Sequence, residues 1–155
     1  MELNKLITNV FTDAQIAYLK DLVSQHSEVH PCPERGRDDI YIGNDISQEI
    51  KDVVLSYFDQ DYYLYHVTYS EYNTKHMNPN LPPHKDPNHD DSSLTFDYQF
   101  ESTIDWPMCA DGVCHDMKDN DAVIFDPPNM QHWRPEITFK QDDYVRIIFF
   151  YLKKA

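Results

Sequence analysis

The feature that most limits what this chain can fold into is a change of period at residue 62. Upstream, the signals are helical. Phe11-Thr12-Asp13-Ala14-Gln15-Ile16 carries a capping box, with Thr12 at the cap and Gln15 three residues on, and Phe11 placed to staple onto Ile16. Ile16, Leu19 and Val23 then repeat on one face to about His26, which predicts a first helix. Residues 31–37 read as a loop, Tyr41-Ile42 as a short strand, and residues 45–58 as a second helix with Ile46, Ile50, Val53, Val54 and Tyr57 inward. Downstream, aromatic and β-branched residues gather into short runs separated by Pro, Asn and Asp. These predict strands at 62–72, 93–100, 122–125, 130–134 and 144–152, and a hairpin of 103–108 with 113–117 around Ala110-Asp111-Gly112. Two helices followed by many short strands imply a mainly β, α+β fold: a sandwich or rolled barrel with a helical flank.

Length bounds this to one domain over 1–155, with residues 1–60 as the helical flank and 62–152 as the β core. Hydrophobic residues at 41% and aromatics at 14% are enough to build a core. There is no apolar run long enough for a membrane span, and Met1-Glu2-Leu3-Asn4-Lys5 lacks a charged-then-apolar leader, so the expected location is cytoplasmic. Cys32, Cys109 and Cys114, an odd number, are then expected as reduced thiols. Cys109, Cys114 and His115 fit no closed zinc spacing. A net charge of −14 disfavours nucleic acid as a partner and leaves a small-molecule or peptide substrate. Nothing in the sequence marks the oligomeric state.

The chemistry-bearing residues are few. His84-Lys85-Asp86 would place His84 and Asp86 on one face if the segment is extended, with Lys85 opposite. Alone the pattern carries little, since about one His-x-Asp pair is expected from composition, and His89-Asp90-Asp91 is a second. Position favours the first: His84 follows Leu81-Pro82-Pro83, whereas 87–92 reads as an exposed turn. His132, between the 122–125 and 144–152 strands, is an ordinary half-buried histidine or a third ligand. Two histidines and a carboxylate leave coordination positions open and suit non-haem Fe(II). Arg146 sits among Val145, Ile147 and Ile148, where an inward charge would need an anionic partner. Arg134, two residues after His132, would share the ligand's face or make a surface ion pair.

Taken together, the tyrosine-bearing strand with Tyr69 or Tyr72, His84-Lys85-Asp86, the 93–117 strands, Asn120-Asp121-Ala122-Val123-Ile124-Phe125, His132 and Arg146 resemble the Fe(II)/2-oxoglutarate-dependent dioxygenases, nearest the prolyl-hydroxylase-like group. Asn120 stands where that family usually has glycine. The resemblance implies a double-stranded β-helix (a jelly-roll, cupin-like core) flanked by two helices. It implies metal binding by His84, Asp86 and His132, with iron, 2-oxoglutarate and molecular oxygen as cofactor and cosubstrates. Arg146 would pair with the far carboxylate of 2-oxoglutarate, helped by Tyr72 or Tyr98, and Arg134 would hold a second carboxylate or a substrate anion. The implied activity is an oxidoreductase, a dioxygenase that hydroxylates a substrate the sequence does not reveal. Two other readings remain: a cupin-type metalloprotein acting without 2-oxoglutarate, and a non-catalytic binding module on the same fold.

Overall fold

The computed structural model describes residues 1–87 and 93–155. Its elements in chain order are β1 (Leu6–Ile7), α1 (Asp13–Ser24), β2 (His30–Cys32), β3 (Arg37–Gly43), α2 (Gln48–Leu55), β4 (Tyr62–Asn73), β5 (Leu81–His84), β6 (Ser93–Ser102), β7 (Met108–Ala110), β8 (Val113–His115), β9 (Ala122–Phe125), β10 (His132–Arg134) and β11 (Tyr144–Lys154). α1 starts where the sequence places it, whereas α2 is shorter than the expected 45–58, starting after Ser47 and ending at Leu55. Thr12 Oγ1 accepts from the Gln15 amide while the Gln15 side chain accepts from the Thr12 amide, and Ser47 caps α2 in the same way through Ile50.

Among the described residues the strands form two antiparallel sheets. The major sheet runs β1-β9-β6-β11-β4-β3-β2 and the minor sheet β5-β10-β7-β8. This is the expected double-stranded β-helix. The first sixty residues do more than flank it, because β1, β2 and β3 extend the major sheet at both edges. The helices pack on one face of that sheet, against Val67, Tyr69, Phe96, Tyr98, Ile148, Phe150 and Leu152. The opposite face meets the minor sheet. There Tyr72, Trp106, Phe139, Val145 and Ile147 close one end. β11 is apolar on both faces, a pattern that does not reveal which face a given residue takes, whereas β6 alternates Leu94, Phe96, Tyr98 and Phe100 on the helix side with Thr95, Asp97 and Gln99 on the other.

Two of the expected site residues lie on the helix-side face. Arg146 alternates with Val145 and Ile147 and lies on the helix-side face. Its Nε donates to Glu71 at 2.7 Å, its Nη1 to Glu101, and its guanidinium lies 3.9 Å over the Tyr144 ring. The expectation of an inward-facing Arg146 is corrected: its anionic partners are two glutamates of the neighbouring strands β4 and β6. Tyr98 takes the same face, packed edge-on to Phe11 at 4.9 Å, and its hydroxyl donates to Asn120 Oδ1. It is a core tyrosine, not a cavity one.

Asn120 has a φ of 75°, in the left-handed region that glycine adopts most readily. Its side chain compensates by bonding both the amide and the carbonyl of Phe11. The β7–β8 hairpin turns on Asp111 and Gly112, with φ of 46° and 79°, as a two-residue loop of this hand requires. That turn sets Cys109 directly opposite Cys114, and the two form a disulfide. The reduced-thiol expectation is therefore corrected for this pair, while Cys32 is free. Among the described residues no helix is long and apolar enough to cross a membrane.

Candidate metal centre and its cavity

β5 and β10 pair so that His84 and His132 face each other across the ladder. Their rings lie 4.2 Å apart, and Phe125 packs 4.8 Å from His132 on the other side. Just past the end of β5, the Asp86 amide donates to the Pro127 carbonyl at 3.0 Å, which turns the carboxylate back towards the two rings. Asp86 Oδ1 is 3.3 Å from Nε2 of each histidine. One ligand atom from each of His84, Asp86 and His132 lies within 4.8 Å of the others. The alternative pair, His89 with Asp91, lies outside the described residues.

The far side of each ring supports a metal-binding reading. His84 Nδ1 is 2.7 Å from the Pro82 carbonyl, and His132 Nδ1 is 2.9 Å from that of Met130. A carbonyl only accepts, so both Nδ1 atoms carry the proton and both Nε2 lone pairs turn to the shared point. Before a metal binds, the electrostatics are those of a partial ion pair. Burial works against a charged His132, but the Asp86 hydrogen bond and the Met130 carbonyl outweigh it and raise its pKa above the ordinary value. The bond from His132 correspondingly lowers that of Asp86. Burial lowers His84, aided by His132 and Arg35.

These three residues open onto a cavity of about 330 Å³ between the sheets. Arg134 lines it and is 3% exposed. Its Nη1 donates to the Trp106 carbonyl at 2.6 Å and its guanidinium lies 5.2 Å over the Trp106 ring. Among the described residues Arg134 Nη2 has no hydrogen-bond partner. Nor has the nearest carboxylate oxygen, Asp97 Oδ1, 3.7 Å away. Burial raises the Asp97 pKa, against the pull of Arg134. Tyr72 reaches the same cavity, edge-on to Trp106 at 5.0 Å.

One residue escaped the sequence reading. Arg37, at the start of β3, lines the cavity, donates from Nη1 to the Tyr72 hydroxyl at 2.8 Å, and sits 3.1 Å from Asp39. Asp39 is itself held by Ser70 Oγ at 2.5 Å. The preceding residue, Gly36, has a φ of 66°, and a Cβ there would meet Pro79 Cα at 2.7 Å. The only sequence signal was the alternation Arg37, Asp39, Tyr41 along one strand face. Of the expected site residues, then, the structure brings together His84, Asp86, His132, Arg134 and Tyr72, and leaves out Arg146 and Tyr98.

No family model and no curated protein matches this chain by sequence. Solved structures do match it by shape. A viral collagen prolyl hydroxylase from Paramecium Bursaria Chlorella virus-1, solved as a 2-oxoglutarate complex, aligns with a TM-score of 0.64 at 11% identity, over 97% of this chain and 95% of its own. The α-ketoglutarate-dependent epimerase SnoN of nogalamycin biosynthesis gives 0.73 at 10% identity, over 97% and 76%. HygX from Streptomyces hygroscopicus, solved with nickel, 2-oxoglutarate and hygromycin B, gives 0.68 at 9%, over 97% and 82%. At these identities the likeness establishes a shared fold, that of the non-haem iron, 2-oxoglutarate oxygenases.

Proposed function

We propose that this chain is an Fe(II)- and 2-oxoglutarate-dependent oxygenase that hydroxylates a small molecule. The observation that carries this reading is the convergence of His84, Asp86 and His132, both imidazoles with Nε2 turned in, beside a buried arginine whose Nη2 has no hydrogen-bond partner among the described residues. Two imidazoles and one carboxylate suit Fe(II) and leave positions for other ligands. When bound, the iron would supply oxygen activation coupled to oxidative decarboxylation of 2-oxoglutarate.

The chain's own residues have defined tasks in this scheme. Arg134 binds the far carboxylate of 2-oxoglutarate through Nη2, replacing its loose contact with Asp97 by a charge-assisted bond. Tyr72 adds a second donor: its oxygen already accepts from Arg37, so its own hydrogen is free to point at the carboxylate. Trp106 holds Arg134 in place from below and excludes water. Pro82 and Met130 fix the imidazole tautomers. Support for the cosubstrate comes from the fold shared with the 2-oxoglutarate-bound neighbours, together with the Arg134 geometry.

The test is a calorimetric titration of 2-oxoglutarate into Mn(II)-loaded protein, with succinate release measured under Fe(II) and oxygen. Saturable binding that Arg134→Met weakens at least a hundredfold is expected. Mn(II) uptake without any 2-oxoglutarate binding would move the assignment to a metalloprotein of the cupin type.

A further inference from the structure

The chain has four arginines, and three of them, Arg35, Arg37 and Arg134, line this one cavity together with Lys85. The carboxylates in the same lining are Asp86 and Asp97. In a chain of net charge −14 that is a local reversal of sign. A divalent metal and the 2-oxoglutarate dianion cancel one another, so binding both leaves the surplus where it was. Asp39, behind Arg37, offsets one of the two extra charges. Glu34, fully exposed, acts on Arg35 and Arg37 only from outside, so among the described residues of the lining itself cations still outnumber carboxylates.

The surplus sits on a particular wall. Arg35 and Arg37 flank Gly36, whose carbonyl accepts from the Asn73 amide, while the Arg35 carbonyl accepts from that of Asn80. Both arginines are thereby tied to the loop that leads into β5 and His84. Arg37 is set rigidly, with Nη1 on Tyr72, Nε against Asp39, and its plane 5.5 Å from the Tyr72 ring and 6.0 Å from that of Phe149. Its side chain is 22% exposed, against 1% for Arg134. A fixed, partly open guanidinium is the geometry for recognising an oxyanion that arrives from solvent.

We propose that the substrate is a small anion whose carboxylate or phosphate is held by Arg37 with Arg35 beside it. This rests on the oxygenase reading, in which Arg134 serves the cosubstrate. A cavity of this size, at the small end of ligand sites, fits a small molecule. The charge of the whole chain gave no hint of this, because steering and recognition follow the local field.

The test uses full-length protein loaded with Mn(II) and 2-oxoglutarate, titrated with matched probes: 3-phenylpropionate against 3-phenylpropionamide, and phenyl phosphate against phenol. The charged member of at least one pair should bind tenfold or more tightly than the neutral one, and which pair does so identifies the oxyanion. Arg37→Met should erase that preference and, because it frees the Tyr72 hydroxyl, weaken 2-oxoglutarate by at most about a tenth as much as Arg134→Met does; Arg134→Met should abolish 2-oxoglutarate binding while the probe preference persists on the Mn(II) form. Because Arg37→Met strands Asp39, Arg35→Met is the second variant. It leaves the Asp39–Tyr72 network intact and should weaken the charged probe several-fold. Equal binding of charged and neutral probes overturns the proposal. So does an Arg37→Met protein that loses 2-oxoglutarate affinity as fully as Arg134→Met. If wild-type protein takes up no 2-oxoglutarate, the oxygenase reading falls instead, and probe preference is read on the Mn(II) form alone.

Discussion

Replacing Arg146 with alanine should leave 2-oxoglutarate affinity unchanged and cost only fold stability. The size of that cost follows from what the side chain touches. Two ion pairs, to Glu71 and Glu101, involve groups that are 26–31% exposed. Such pairs contribute roughly 0.2–1 kcal/mol each. The guanidinium over Tyr144 adds about 0.5–1 kcal/mol. The expected loss is about 1–3 kcal/mol, which for a domain of this size lowers Tm by roughly 2–12 °C. High salt should shrink the difference between wild type and variant, because the pairs are partly solvated. Differential scanning calorimetry at two ionic strengths gives the stability change, and calorimetric titration of 2-oxoglutarate into the Mn(II) form gives the affinity. An inward-facing Arg146 paired with a desolvated carboxylate predicts instead a loss of several hundred-fold in affinity, from about 3–5 kcal/mol. A drop of more than tenfold in Arg146→Ala would refute the placement of this side chain on the helix-side face.

Metal binding should depend on pH in a specific sense. His132 must give up its proton to ligate through Nε2, and its pKa before metal binding is raised, so Mn(II) affinity should climb as pH rises through and beyond the ordinary histidine range. A flat profile between about pH 5.5 and 8 would contradict this. For stability without metal the sign is opposite. The raised His132 value contributes stability fully present below its unfolded pKa and lost as pH rises through the folded one. His84, shifted down, works the other way, so comparing the pH dependence of Tm in wild type and His132→Gln isolates the term. Reducing the Cys109–Cys114 bridge, or Cys114→Ala, should cost about 2 kcal/mol by loop-closure entropy, since the sequence separation is 5. An unchanged denaturation midpoint would show that the hairpin holds itself without the bridge. Gly36→Ala should destabilise by at least about 1 kcal/mol, because the position needs a left-handed φ and the Cβ would strike Pro79 backbone. It should also loosen Arg37, seen as weaker binding of anionic probes.

The parts of this protein legible in its sequence are those where local chemistry and global fold agree. Thr12 and Gln15 announce α1, and Asp111-Gly112 announces a hairpin whose register also implies Cys109 opposite Cys114. Reading the cysteines by count and compartment instead obscured that pairing. The metal-ligand candidates were legible because their spacing matters more than their strand assignment: β5 reads as loop, yet His84 and Asp86 still converge. Arg146 was misjudged because β11 is apolar on both faces, and a shift of one residue exchanges those faces. A register irregularity against β6 falls between Arg146 and Ile147. Tyr98 is different: β6 alternates, and the period of two puts Tyr98 with Leu94, Phe96 and Phe100, away from Thr95, Asp97 and Gln99. Arg37 was missed because β2 and β3 alternate polar residues, which look like a solvated loop until a second sheet covers them.

The minor sheet has strands of three or four residues, and each of its ends has its own chemical fastening. At one end Cys109–Cys114 joins β7 to β8; at the other, His84 and His132 would share a metal across β5 and β10. The two fastenings make opposite demands on the electron supply around the protein. A ferrous ion needs reductant to stay ferrous, whereas the disulfide opens when strong thiol reductants are present. Ascorbate, which reduces iron but is a poor disulfide reductant, would preserve both, while dithiothreitol would keep the iron and release the hairpin. Iron loading is therefore best done with ascorbate, with the hairpin followed separately as dithiothreitol is added.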